Sequence, residues 1–277
     1  MKVYFFKKLK NLAIQIIWSF SRKLYQISRK DIPTKGISKS ENYVIKTFLK
    51  NKTNVDYIFD VGANVGLWSK LASSIRKDLN IYSFEPIEST YNNLEKNLKD
   101  YENISTINKA LSSESGFFNI YNYGENSGTN SFYNFNNDKN QEFVIESIEA
   151  TTIDSFCEVN QLKNVDFIKC DAEGNDLKVI LGALKMIENN KIGILQFEYN
   201  WRWILSNSSL KNVFDVIEGK DYYFGKVINN EIQIIEAWNQ EIDKFYEANY
   251  ILISKSYIKY LNCRFYYYNK RNILVEK

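Results

Sequence analysis

Tyr57-Ile-Phe-Asp-Val-Gly-Ala-Asn-Val-Gly-Leu-Trp-Ser-Lys70, followed by Ile81-Tyr-Ser-Phe-Glu-Pro86, is the stretch on which the fold turns. An apolar run ends in Asp60, turns through Gly62 and Gly66, and enters a helical pattern. About one helix later a second apolar run ends in Glu85. In an open α/β sheet this order puts small residues against a ligand at the first strand tip and a carboxylate beside it at the second. Such a carboxylate can accept both hydroxyls of a ribose. The spacing Gly62-x-x-x-Gly66 lacks the three-glycine pattern that seats a pyrophosphate on a helix N-terminus. A nucleoside cofactor without phosphates fits better, and S-adenosylmethionine is the usual one.

From Asp56 onward the pattern alternates strand and helix. Strands are expected near 56–61, 81–85, 104–108, 165–170 and 192–197, with helices near 66–77, 88–98, 176–188 and 208–218. Four of these strands are apolar throughout, as a parallel sheet covered on both faces requires. Between the third and fourth, Phe117–Tyr123 and Glu142–Ile148 read as two extra strands. They flank a polar stretch with seven asparagines from Asn122 to Asn140, which reads as a lid or a plain surface loop. Beyond residue 220 the order turns antiparallel, with a hairpin at Tyr222–Ile228 and Glu231–Glu236 and a strand at Tyr250–Ser254. The stretch Tyr257–Tyr268, basic and aromatic, reads as a final helix or as part of an acceptor or membrane contact.

A second constellation carries chemistry. In Val165-Asp-Phe-Ile-Lys-Cys-Asp-Ala-Glu-Gly-Asn-Asp176 a strand delivers Asp171 and Glu173 to its carboxyl end, where Gly174 permits a tight turn. The next strand adds Glu198 and Tyr199, with Trp201, Arg202 and Trp203 beyond. Carboxylates gathered outside the carboxyl ends of strands suit a cationic ligand, and a sulfonium is one. With no histidine in the chain, the general-base candidates are Asp171, Glu173 and Glu198. Simpler roles stand beside these. Asp171 and Glu173 could cap a helix, Glu198 could pair with Arg202 four residues on, and Trp201 and Trp203 suit core or sugar-stacking platform alike.

Composition narrows the classes. The missing histidines exclude His-ligated metals, and no metal site is expected. Cys157, Cys170 and Cys263 are odd in number and widely spaced, which favours a reducing compartment, so the protein is expected in the cytoplasm. Residues 1–50 carry twelve Lys or Arg against Asp31 and Glu41, a net of +10, so the rest of this +3 chain sums to −7. Nucleic-acid binding by the main domain is therefore not expected. Residues 1–30 form a basic amphipathic pattern, with Leu9, Leu12, Ile16, Ile17, Phe20, Leu24 and Ile27 at helical spacing. That pattern suits packing on the domain, on a second copy of the chain, or on an anionic membrane. Pro33 and Gly36 mark a break after it. Three regions follow: a helical extension at 1–50, a catalytic domain at 51–256 and a basic aromatic tail at 257–277.

The quoted segments resemble the FkbM-type methyltransferase family over about 57–254. The resemblance rests on Phe59–Gly66, Phe84-Glu-Pro86, Asn108-Lys-Ala-Leu111, Asp166–Gly174, Leu181-Gly-Ala183 and Gln196-Phe-Glu198. It implies a class I methyltransferase-like, Rossmann-like open sheet with an antiparallel C-terminal edge, and S-adenosylmethionine-dependent O-methylation of a surface carbohydrate, its precursor or another small metabolite. It also implies cofactor contact through Asp60, Gly62, Ala63, Asn64 and Gly66, ribose recognition by Glu85, adenine contacts near Asn108 and Ala110, and a part for Asp171. Cys170 stands where an aliphatic residue is usual, and Asp176 where Glu is. Two other classes compete: a non-catalytic scaffold on the same fold, and a nucleotide-dependent oxidoreductase, which the missing glycine fingerprint disfavours.

Overall fold

The computed structural model of the chain describes residues 2–29, 37–124, 127–134 and 142–277, without the side chains of 2–6, 9 and 37–41. The expected break at Pro33–Gly36 and much of the asparagine-rich stretch lie outside the described residues. The chain divides into two units, Met1–Gly36 and Ile37–Lys277.

The first unit is a single helix, α1 (Lys2–Ser28). Its apolar side chains Leu12, Ile16, Ile17, Phe20, Leu24 and Ile27 are exposed. Among the described residues no helix is long and apolar enough to cross a membrane.

The second unit opens with α2 (Ile37–Asn51), which places the boundary near residue 36 rather than 50. Val44, Ile45, Phe48 and Leu49 of α2 are buried, at the spacing of one helical face. The Phe48 ring packs 5.7 Å from that of Phe167 and 6.1 Å from that of Tyr257. Then come β1 (Tyr57–Val61), α3 (Leu67–Ile75), β2 (Asn80–Phe84), α4 (Glu88–Leu98), β3 (Ile104–Ile107), β4 (Ala110–Leu111), β5 (Gly116–Asn122) and β6 (Val144–Thr151). They are followed by α5 (Ile153–Val159), β7 (Val165–Cys170), α6 (Asp176–Leu181), α7 (Leu184–Glu188), β8 (Ile192–Tyr199) and α8 (Leu210–Ile217). The chain closes with β9 (Tyr222–Ile228), β10 (Glu231–Ile235), β11 (Ala248–Ser254), β12 (Cys263–Tyr268) and β13 (Leu274–Glu276).

Ten strands form one sheet in the order β13-β12-β10-β9-β11-β8-β7-β1-β2-β3. The half containing β8, β7, β1, β2 and β3 is parallel. β11 lies antiparallel between β8 and β9, which makes the antiparallel C-terminal edge read from the sequence. Successive residues of the apolar strands feed opposite faces, as the pleat dictates. Phe59, Ile168 and Leu195 pack with α5–α8. Ile58, Phe167 and Ile194 pack with α2 and α3. The two extra strands pair as β5 and β6 and, with β4, make a separate three-stranded sheet.

Two expectations differ from the structure. The single helix at 176–188 is interrupted at Gly182–Ala183, because the backbone of the β4 end docks there. A Cβ on Gly182 would lie 2.0 Å from the Ser112 carbonyl oxygen. Nor does the tail form a final α-helix. After a 3-10 run at Lys255–Tyr260, β12 pairs with β10, and β13 extends the sheet. The reason is period-two burial: Tyr266 is buried and donates its hydroxyl to Glu231 at 2.9 Å, and Phe265 on the other face meets the Tyr223 ring. The expected tail therefore adds two strands, Cys263–Tyr268 and Leu274–Glu276, to the sheet.

Phe48→Ala is expected to lower the unfolding free energy by about 3–5 kcal/mol, because the cavity opens among aromatic rings that cannot collapse into it. Phe20→Ala on α1 should leave it unchanged. Denaturant titration of both variants checks the pair.

Candidate active site

β1 ends in a turn that the sequence could make only with glycine. Gly62 sits at φ +73°, and a Cβ there would lie 2.0 Å from the carbonyl oxygen of Asp171. The Gly62 and Ala63 amides both donate to the Phe84 carbonyl, at 3.0 and 2.9 Å, so the turn is stitched to the end of β2. Just past that end, Glu85 accepts from the Asn64 amide at 3.0 Å and from the Ile87 amide at 3.1 Å. Each of its oxygens keeps acceptor capacity for a ligand hydroxyl. Burial raises the Glu85 carboxyl to about 7, against the opposing pull of the two amides.

The end of β7 is built around Asp176. This buried carboxylate accepts from the Ala172 and Gly174 amides, both at 3.2 Å, and fixes the Asp171–Gly174 turn. Burial, reinforced by the Asp171 charge, lifts it to about 7. Glu173 has φ +49° and pairs with Arg202 at 3.1 Å. Burial and the nearby Asp171 raise Glu173 to about 8, with Arg202 opposing. Gly174, at φ +93°, lets the Arg202 backbone pass: a Cβ there would meet Arg202 Cβ at 2.9 Å. The Asp171 carboxylate receives the Lys169 ammonium on Oδ2 at 3.3 Å, while its Oδ1 is buried with no hydrogen-bond partner.

Between these two strand ends lies an open cleft, whose 680 Å³ or so of empty space includes the solvent at its mouth. Gly62, Asn64, Glu85, Ala110, Asp171 and Glu173, all singled out from the sequence, line it. Five other expected residues, Glu198 among them, do not. Asp60 is fully buried beneath the cleft, where Ser69 donates to it at 2.6 Å and Lys169 lies 3.7 Å away. Ala63 and Gly66 face α4, packing on Leu94 and Leu98. Asn108 donates to the Glu85 and Pro86 carbonyls at 3.0 and 3.2 Å, so it shapes the wall without forming it. Lys109, inside the quoted Asn108–Leu111 segment, lines the cleft too, as do Ile120, Gly128, Asn130 and Phe132 from the region read only as a strand and a lid or surface loop. Most come from the second sheet and the segment after it, which docks through the Ser131 hydroxyl donating to the Glu173 carbonyl at 2.8 Å.

Beyond Glu173 the two tryptophans part company. Trp203 is fully buried and donates its indole N–H to the Glu198 carbonyl at 3.0 Å, whereas Trp201 is 41% exposed. The Arg202 guanidinium lies 5.5 Å from the Trp201 ring centre, so the exposed ring stands one ion pair away from the cleft. Glu198 is outside the cleft lining. Its carboxylate accepts from Asn200 at 3.1 Å, and the expected pair with Arg202 gives way to Arg202–Glu173 because a 3-10 turn, not an α-helix, follows β8. Burial raises the Glu198 carboxyl well above the usual range, with Asp171, Glu173, Asp176 and Glu247 adding to it.

The sequence-based expectation that Glu85 accepts ribose hydroxyls, joined to a carboxyl at about 7, gives a signed pH effect. Below that value Glu85 is protonated in the free protein and must lose the proton to bind. Affinity for S-adenosylhomocysteine is therefore expected to rise between pH 6 and 8, with proton release on binding. Glu85→Gln should flatten the profile and weaken binding by about 1.5–3 kcal/mol. Calorimetry in buffers of different ionisation enthalpy reads both effects.

The family model for the methyltransferase FkbM domain matches residues 60–251, most of the chain. No curated protein matches it significantly. Solved structures similar to it include the N-terminal domain of human METTL16 in complex with SAH, 12% identical, covering 80% of this chain and 72% of that one at a TM-score of 0.43. The human methyltransferase 10 domain containing protein is 10% identical over 81% of this chain and 85% of that one, at a TM-score of 0.42. A precorrin-6y C5,15-methyltransferase from Geobacter metallireducens is 12% identical over 76% and 86%, at a TM-score of 0.38. These likenesses are remote, and nothing about substrate is taken from them. From the family match over residues 60–251, the chain belongs to the FkbM methyltransferase family.

Proposed function

We propose that this protein transfers a methyl group from S-adenosylmethionine to a hydroxyl of a carbohydrate. The observation that carries the reading is the cleft with Glu85 at one end, Asp171 and Glu173 at the other, and the exposed Trp201 ring one ion pair beyond. The residues fit the cofactor on two counts. Glu85, which lines the cleft, keeps acceptor capacity beyond its two amide bonds, and Asp171, which lines the other end, has an oxygen with no hydrogen-bond partner. Bound there, the cofactor supplies an electrophilic methyl on a positively charged sulfur, which leaves as a neutral thioether.

The chain's own residues do the rest. Glu85 holds the ribose hydroxyls. Asp171 and, once it has lost its proton, Glu173 place negative charge along the cleft, which favours a cationic ligand over its neutral product. They also stand where the acceptor hydroxyl must shed its proton, and Glu173 at about 8 is matched to take it near neutral pH. Trp201 offers an aromatic face to sugar C–H groups, while Arg202 on the same edge donates to hydroxyls. Excluding water and holding the oxygen in line with the methyl supply most of the acceleration.

The same reading puts the enzyme at the inner, anionic face of a membrane, where lipid-linked or nascent glycans are met. It rests on α1, whose apolar face is exposed and whose residues 1–30 carry eight Lys or Arg and no carboxylate.

Calorimetry with S-adenosylmethionine and S-adenosylhomocysteine tests the cofactor, and binding of neither at millimolar concentration sinks the reading. For the acceptor, mass spectrometry of cellular glycans with and without the gene should show loss of a methyl increment from a saccharide; a loss confined to proteins refutes it. Trp201→Ala should raise KM for the saccharide while leaving cofactor affinity intact. Full-length protein should co-sediment with anionic but not neutral vesicles at low salt, and Arg22→Glu/Lys23→Glu should release it. Equal negligible sedimentation on both returns α1 to a packing role.

A further inference from the structure

A row of buried polar side chains crosses the sheet directly beneath the cleft. In register on adjacent strands stand Ser83 of β2, Asp60 of β1, Lys169 of β7 and Gln196 of β8. All four are buried, and Ser69 of α3 covers the Asp60 end, bonding Asp60 at 2.6 Å and Ser83 at 2.7 Å. A lysine in such a row is costly: an ammonium removed from water loses several kcal/mol of hydration unless carboxylates replace it. A methionine would fill the same space at no such cost. The position of the ammonium supplies the reason for keeping it. It lies 3.7 Å from Asp60 Oδ1 below and donates at 3.3 Å to Asp171 Oδ2 above. Asp171 lines the cleft with its side chain 39% exposed, and its Oδ1 has no hydrogen-bond partner.

We infer that Lys169 is a positioning residue for ligand binding: anchored by Asp60, it holds the Asp171 carboxylate at the cleft to receive the ammonium group of the bound cofactor. Asp60, expected from the sequence to touch the cofactor, thus acts on it at one remove. The charged groups around Lys169 are Asp60 on β1, Glu85 past β2, and Asp171 and Glu173 past β7. Its positive charge holds down the carboxyls of Asp60, Glu85 and Glu173, each of which burial raises. The inference rests on the cleft being the S-adenosylmethionine site.

A double-mutant cycle on S-adenosylhomocysteine affinity tests it, because a residue that acts through another shows non-additive loss. Lys169→Met and Asp171→Asn should each weaken binding roughly ten-fold, the loss of one charge-assisted hydrogen bond. The double variant should be no weaker than Asp171→Asn alone. Losses that multiply, or native affinity in Lys169→Met, overturn the inference. Should Lys169→Met fail to fold, Asp60→Asn/Lys169→Met removes both buried charges together. Recovered thermal stability with affinity still lost supports positioning, and recovery of both shows a purely structural role. Absence of binding by the wild-type protein, seen before any variant is made, overturns the cofactor reading and the inference with it.

Discussion

The ends of β1 and β7 approach so closely that the Asp171 carbonyl oxygen occupies the space where a side chain on Gly62 would begin. The Asp171 amide in turn donates to the Val61 carbonyl at 3.0 Å, so the contact is held from both sides. The site hangs from this approach. It sets the direction in which Asp171 leaves its strand, and it forces the turn whose Asn64 amide binds Glu85. It also fixes the spacing of the strand tips beside which the cleft lies. Any Cβ at residue 62 would push the strands apart and misplace all three features at once.

The second constraint is electrostatic. Asp60, Glu85, Glu173, Asp176 and Glu198 crowd one end of the sheet, and burial raises every one of their carboxyls. Lys169 from below and Arg202 from the side offset part of this charge. Backbone amides offset more, two at Glu85 and two at Asp176. Carboxyls raised in this way keep protons near neutral pH, and a ligand bringing positive charge favours their ionised forms. The fold thus stores a preference for a cation at the point where the two strand tips meet.

The additions to the parallel sheet have separate uses. The three-stranded sheet and the segment behind it close one wall of the cleft with Ile120, Gly128 and Phe132. The far edge, through β12 and the 3-10 run before it, braces the opposite face of the domain. There Tyr257 donates to the buried Asp166 at 2.6 Å and packs against Phe48 of α2. First and last segments of this unit therefore meet on one surface of the sheet.

Local chemistry in the sequence was enough for the strand–helix alternation, the Gly62–Gly66 turn, and the carboxylates at the ends of β1, β2 and β7. Apolar runs must be buried, glycine alone tolerates the turn, and strand ends gather ligands. Local chemistry is silent on what a side chain meets across the fold. Asp60 and Glu85 look alike as acidic strand ends, yet one faces α3 and the other the cleft, because pleat phase and helix packing assign their sides. Trp201 and Trp203 differ only by the rotation of a 3-10 turn. Arg202 chose Glu173 over Glu198 because Gly174 lets its backbone approach. The wall from the second sheet was invisible because its residues carry no motif and become a site only by docking. The sequence by itself determined which chemistry the strand tips carry. Tertiary structure decided which of those groups face the ligand, because facing depends on contacts between segments that are distant along the chain.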